Sequence, residues 1–295
     1  MADDFKRWRI GGITITRIVE LGPMEVGPHE LFPDATRDDV KAEPWLAPNF
    51  VNEKANLVID FQCFLIEAAG KKILVDTCIG DGKALAEEAL SNMATGFLET
   101  LTRAGAGPDD VDIVLCTHLH FDHVGWNTRK VDGAWVPTYP KARYLFNRPE
   151  LDFTLAAEHT PGDEFVAESI QPILDAGLVD LVATDHQVCA GVRLIPTPGH
   201  TPGHVSVWVE DAGESAVITG DMIHHPLQLA RPEFASSFCA DPEQSRASRR
   251  SLFGRLAGQP TLLIGSHFCE PTAGRVLAHG QGWRLECVEV AVPAE

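Results

Sequence analysis

The stretch Thr117-His118-Leu119-His120-Phe121-Asp122-His123 limits the folds open to this chain more than any other. Four side chains able to bind metal fall within the six positions 118–123, in the pattern H-x-H-x-D-H. They follow the apolar run Val111 to Cys116 (VDIVLC), which reads as a buried strand. The cluster therefore sits just past a strand end, where loops carry chemistry on a rigid scaffold. Imidazole together with carboxylate suits zinc and similar borderline ions. In extended or turning backbone His118 and His120 point the same way, because side chains repeat every two residues. Asp122 and His123, in the turn that follows, face a second point. One strand-to-loop junction can thus supply ligands to two ions.

Three later stretches repeat this arrangement of strand end and ligand. Ile195-Pro196-Thr197-Pro198-Gly199-His200 places His200 in a loop stiffened by Pro and Gly, with His204 four positions on. Val217-Ile218-Thr219-Gly220-Asp221 and Leu262-Leu263-Ile264-Gly265-Ser266-His267 place Asp221 and His267 after apolar strands. A fold that uses this pattern must bring several strand ends to one place. Between these motifs, strands are expected at 8–20, 55–68, 72–77, 178–184, 191–196, 204–210, 215–219, 261–264 and 282–292. Helical periodicity is read at 83–104 and, in two pieces broken near Thr160-Pro161-Gly162, at 149–176. A helix is expected over 241–257, with Asp241 as N-cap and Pro242 at the first position. The alternation of strands with helices argues for the α/β class. Residues 21–54, rich in Pro and Gly, read as a long loop whose Phe32, Trp45, Leu46 and Phe50 either wall a pocket or pack the loop down. With no repeat and no clear linker, a single domain over 1–295 is the economical reading.

Composition narrows the partners. The 295 residues carry a formal charge of -18, which disfavours nucleic acid and anionic membrane surfaces. The one local basic cluster, Arg246 to Arg255, reads as an amphipathic helix. No apolar run approaches the ~20 residues needed to span a bilayer, and the N-terminus lacks a leader signature, so a cytoplasmic protein is expected. Seven scattered cysteines without a C-x-x-C read as reduced thiols, with Cys116 and Cys269 beside proposed ligands.

Taken as a set, THLHFDH, TPGHTPGH, the Gly220-Asp221 strand end and Ser266-His267 resemble the metallo-β-lactamase superfamily, in family order across most of the chain. The resemblance implies a four-layer αββα sandwich of two facing mixed β-sheets with helices outside. It implies two zinc ions per chain: His118, His120 and His200 on one, Asp122, His123 and His267 on the other, and Asp221 bridging. The wording HFDHVGWN and GDMIHHPLQ is similar to dinuclear lactonases and methyl parathion hydrolase. A hydroxide shared by the ions would then attack a small lactone, ester or organophosphate, with Asp122 handling a proton. β-Lactams, thioesters and an iron-dependent redox reaction of the persulfide dioxygenase kind are the alternatives, and the resemblance suggests a homodimer. Those lactonases often carry a Tyr shortly after the bridging Asp. Here His224 and His225 stand there, and the chain's two tyrosines are Tyr139 and Tyr144. His224 is the candidate to donate to a developing oxyanion in place of that Tyr. Asp76 is the candidate acceptor for a ligand imidazole N–H.

Overall fold

The computed structural model describes residues 5–157 and 162–288. The chain divides into two compact units. The first comprises residues 1–20, 61–183 and 189–191, the second residues 21–60, 184–188 and 192–295.

The first unit is built on a seven-stranded sheet. Its strands are Arg7–Ile10 (β1), Ile13–Val26 (β2), Leu57–Ala68 (β3), Lys71–Val75 (β4), Ile113–Leu115 (β5), Arg143–Asn147 (β8) and Val179–Val182 (β9). They lie in the order β1-β2-β3-β4-β5-β8-β9. Thr128–Val131 (β6) and Ala134–Pro137 (β7) form a separate hairpin, closed at Asp132-Gly133 with positive φ at both residues. That double left-handed turn suits the twist of a two-residue hairpin. β3 pairs antiparallel with β4, but β4, β5 and β8 run parallel, with Val75 opposite Leu115 and Leu115 opposite Leu145. The sheet is therefore mixed, and β4 and β5 end side by side. All three residues of β5, and almost all of β3, are buried, as expected of strands covered on both faces.

The second unit carries the other seven-stranded sheet. Gln187–Cys189 (β10), Val192–Pro196 (β11), Val205–Asp211 (β12), Glu214–Ile218 (β13), Leu262–Ile264 (β14), Ala273–His279 (β15) and Gly282–Cys287 (β16) lie in sequence order. Its central pair, β13 and β14, is parallel, with Ile218 opposite Ile264, so both strands deliver their next residues to the same edge. The helix Pro242–Leu256 forms as the sequence predicts, and Asp241 accepts the Gln244 amide at its start. Arg249, from the basic cluster, is wholly buried and donates to the carbonyls of Met222, Pro232 and Phe234.

Two expectations change. Helix over 83–104 shrinks to Phe97–Arg103. The amides of Ala84 and Ala86 go instead to Glu168 and Asp163, and Leu85 N–H donates to Ser91 Oγ, so the i→i−4 ladder never starts. The segment 21–54 is not a bare loop: β2 runs on to Val26, and helical turns follow at Pro28–Leu31, Arg37–Lys41 and Pro44–Leu46. β15 is a strand that periodicity did not show. Of the expected break at 160–162, Thr160 and Pro161 lie outside the described residues, as do positions 289–292 of the expected last strand. Among the described residues no helix is long and apolar enough to cross a membrane.

Candidate metal centre

In the first unit β5 ends at Leu115 and the chain turns into the motif, where His120 precedes a one-turn helix, Phe121–Val124. His118 and His123 are buried, while His120 and Asp122 are partly open. His118 Nε2 and His120 Nδ1 are 3.0 Å apart, and His123 Nε2 lies 3.5 Å from Asp122 Oδ2. The rings of His118 and His123 are 4.1 Å apart between centroids. Apolar packing alone does not gather three imidazoles and a carboxylate this closely, whereas a cation does.

Asp76 fixes this half. It follows β4 in a left-handed conformation, φ 61°, and is buried. Its Oδ2 accepts His123 Nδ1–H at 2.9 Å, as expected from the sequence, and its Oδ1 accepts the Thr117 amide at 2.7 Å. The Thr117 hydroxyl, 2.9 Å from Asp76 Oδ2, can only donate to the carboxylate. It therefore accepts His118 Nδ1–H at 3.2 Å. One carboxylate thus sets the tautomer of two histidines, directly and through Thr117, leaving Nε2 of each as a lone-pair donor.

The motif is also clamped from behind. Leu119 N–H donates to the buried Glu150, and Glu20 accepts from the Ile79 and Gly80 amides and from Trp126 Nε1. Burial pushes the Glu20 carboxyl up to about 7 against the pull of those donors. Gly125 lies against the chain leaving β4: a Cβ there would come within 1.7 Å of the Ile79 carbonyl oxygen.

In the second unit the candidate ligands again follow strands. His200 comes from the loop after β11, Asp221 from the turn after β13, and His267 from the loop after β14. Asp221 occupies the sparsely populated bridge region, φ −89° and ψ 16°, favoured by many active-site residues. Its Oδ1 is 3.0 Å from His267 Nε2, and its Oδ2 is 3.5 Å from His200 Nε2. The two oxygens of one carboxylate thus face different histidines. His267 Nδ1–H donates to the Asp60 carbonyl at 2.9 Å, so its Nε2 is again the inward nitrogen. The His200 loop docks on the start of the long helix, where a Cβ on Gly199 (φ +129°) would meet Ser245 N at 2.1 Å.

His224 joins this group. Its Nε2 is 3.2 Å from Asp221 Oδ2, and the ligand atoms of His200, Asp221 and His224 all lie within 4.8 Å of one another. Neither ring nitrogen of His224 makes a hydrogen bond among the described residues. Phe32, from the 21–54 segment, presents its ring edge-on to His224 at 6.4 Å. His225 plays a different part: Nε2–H donates to the Phe50 carbonyl at 2.7 Å and Nδ1 accepts the Leu227 amide. Full burial pushes its pKa down to about 4. His204 is structural support, since its Nε2 accepts the Asp221 amide at 2.8 Å and its Nδ1–H is left to Thr197. Tyr139 and Tyr144 are both buried in the first unit, and Tyr144 donates to Asn127 O.

The first unit thus brings His118, His120, Asp122 and His123 together, and the second His200, Asp221, His267 and His224. Cys116 bonds with Asn127 instead of a ligand, and all seven cysteines are free thiols. Sequence reasoning missed Thr117, Glu150, Glu20 and Cys239. Glu150 had a signal, the N-terminal pattern Asn147-Arg148-Pro149-Glu150, and its carboxylate accepts the Leu119 amide 31 positions away.

Known proteins share these features. The chain is 32% identical over 168 residues to an N-acyl homoserine lactonase of a Bacillus species, a match covering 53% of this chain and 60% of the relative. The alignment thus spans well under two thirds of that relative's length. Among solved structures, AidC, a dizinc quorum-quenching lactonase in complex with a product, aligns with a TM-score of 0.80 at 20% identity over 98% of both chains. The hydrolase AbOPH aligns with a TM-score of 0.79 at 23% identity, over 99% of this chain and all of that one. At such identities the likeness speaks for the fold, α/β with two mixed sheets as expected. The sequence profile of the metallo-beta-lactamase superfamily matches residues 62–267, from within β3 to His267, and the chain belongs to that superfamily.

Proposed function

We propose that this chain is a metal-dependent hydrolase with two zinc ions, acting as one domain on a small lactone, ester or organophosphate. His118, His120 and His200 would hold one ion and Asp122, His123 and His267 the other, with Asp221 shared. The observation that carries the reading is Asp221, whose two oxygens turn to different histidines, His267 and His200. In support, His123 and His267 each give Nδ1–H to an oxygen acceptor and keep Nε2 inward, the state a metal ligand needs. Two divalent ions in such a set supply Lewis acidity and a water activated near neutral pH.

The chain's own residues supply the rest. Asp221 is held by its amide to His204, so its carboxylate is presented without first reorganising. Asp122, partly open, is the carboxylate able to take or deliver a proton as the scissile bond breaks. His224, whose Nε2 faces Asp221 and whose Nδ1 makes no hydrogen bond among the described residues, would donate to the developing oxyanion. Phe32 and the segment 21–54 that carries it would wall the substrate pocket beside His224. The lactonase relatives favour a lactone first.

The test pairs elemental analysis with an assay panel of lactones, aryl esters, phosphotriesters, thioesters and β-lactams on one preparation. Two zinc ions per chain with lactone hydrolysis is the expected result. A single ion after metal-replete purification would overturn the dinuclear reading, and bound iron without hydrolysis would overturn the hydrolase.

A further inference from the structure

Three side chains of the second unit form a ligand set of their own. Asp221 Oδ2 lies 3.5 Å from His200 Nε2 and 3.2 Å from His224 Nε2, and the ligand atoms of all three fall within 4.8 Å of one another. Donors placed tetrahedrally about 2 Å from a zinc ion lie about 3.3 Å from each other, so both contacts of Asp221 already have the length an ion needs. All three side chains are buried. His224 Nε2 makes no hydrogen bond to Asp221 in spite of the short distance, and its Nδ1 makes none among the described residues. A buried imidazole turned to a carboxylate oxygen in this way is costly unless a cation sits between them.

Each member is held from outside the cluster. His204 Nε2 accepts the Asp221 amide at 2.8 Å. Gln228 Oε1 accepts the His224 amide at 2.8 Å, and Gln228 Nε2 donates to Phe234 O. The Ala240 amide donates to His200 O at 2.8 Å, and Cys239 Sγ lies 3.8 Å from His200 Nδ1. The set is therefore preformed by residues of its own unit and draws nothing from the motif at 118–123. Two imidazoles and one carboxylate, with a fourth position for water, make a ligand set that zinc accepts.

We propose that His200, Asp221 and His224 are a metal-loading site, which catches a divalent ion of the zinc kind before His118 and His120 share it. The inference rests on the metal-dependent reading above but needs only residues of the second unit. Once His118 and His120 hold the ion together with His200, His224 is left to the oxyanion.

The experiment titrates full-length variants with cobalt, following its visible bands, and with zinc against a chromophoric chelator. His118→Ala/His120→Ala/His123→Ala removes every imidazole of the motif and should still bind one ion per chain. Adding His224→Phe to these three should cost at least about 100-fold in affinity, since a direct ligand is worth more than an outer partner. Adding His267→Ala instead should leave the ion in place. Equal affinity with and without His224→Phe, the result expected if His224 merely pairs with Asp221, would overturn the proposal. So would loss of the ion on adding His267→Ala, or no binding by the triple variant. If the triple variant fails to fold, zinc uptake by metal-free wild type is compared with uptake by metal-free His224→Phe. Uptake should be several-fold slower in the variant, and equal rates would overturn the proposal. A wild type that takes up a single ion would refute the two-ion reading, and the His224→Phe comparison would still decide the loading site.

Discussion

His225 couples stability to pH in a calculable way. The imidazole is wholly buried, donates to Phe50 O and accepts from Leu227 N, so it is neutral with both nitrogens engaged. Its pKa falls from 6.5 to about 4 because burial disfavours the cation. In the unfolded chain the same ring titrates near 6.5, so between that pH and 4 the unfolded state binds more protons. Stability therefore rises with pH across this window: the contribution is fully present above about 6.5 and is lost as pH falls toward 4. At pH 5 the unfolded ring is about 1.5 units below its pKa while the native ring is still neutral. The loss at that pH is about 2 kcal/mol at 1.36 kcal/mol per unit. His225→Gln cannot titrate. Urea unfolding of both proteins at pH 7.5 and pH 5 isolates the effect, since other groups titrate alike in each. The variant should be the less stable at pH 7.5, through its impaired tether to Phe50, by about 1–3 kcal/mol. The gap should shrink by about 2 kcal/mol at pH 5. A gap of the same size at both pH values would refute the argument.

Three further outcomes are expected. Asp221→Asn keeps the size of the side chain but removes its charge, so kcat for the best substrate of the panel should fall on the order of 100-fold or more, with an unchanged unfolding midpoint. Near-normal kcat with two tightly held ions would remove Asp221 from the centre of the mechanism. Lys83 is buried without an ion pair among the described residues, its Nζ 2.6 Å from Thr128 Oγ1 and over the Trp135 ring, and burial lowers its pKa to about 7. The unfolded lysine holds its proton up to about 10.4, so wild-type stability should rise with pH between 7 and 10. Lys83→Met should lack that rise and at pH 7 should match or exceed wild type in urea melts. Gly199→Ala sets a Cβ against Ser245 N in a left-handed backbone, and should cost about 2 kcal/mol or more in thermal unfolding.

The clustered His and Asp residues were legible as candidates because each stands at the end of an apolar strand, where a His or Asp has no packing role. Asp241-Pro242 was legible for a similar reason, since capping is local chemistry. The irregular path of 83–96 was not. Its amides bond to Asp163 and Glu168, 77 and 84 positions away, and no window of neighbouring residues contains that information. The same holds for what steadies the ligands. Asp76 could be guessed because it ends a strand, but Cys239 reaches His200 across 39 positions, and Glu150 reaches Leu119 across 31. The residues of 21–54 were half legible. Phe32, Leu46 and Phe50 are indeed buried, as the packing reading expects, and Phe32 also stands edge-on to His224.

Gly125 and Gly199, beside the candidate ligands, bear on how this chain can diversify. At Gly125 and Gly199 the backbone of another segment occupies the space where any side chain would begin. Random mutagenesis around the ligand loops will therefore return mostly inactive clones at these positions, whatever substrate is selected for. The Phe32 segment is tied down by buried side chains such as Phe32, Leu46 and Phe50, by hydrogen bonds such as His225 to Phe50, and by the ion pairs Asp39–Arg231 and Glu43–His279. Libraries that confine variation to 28–50 and leave 125 and 199 untouched should keep their metal loops while sampling new pocket shapes. If the chain is the proposed hydrolase, the same asymmetry would give natural lineages a route to new substrates that leaves the candidate ligand loops intact.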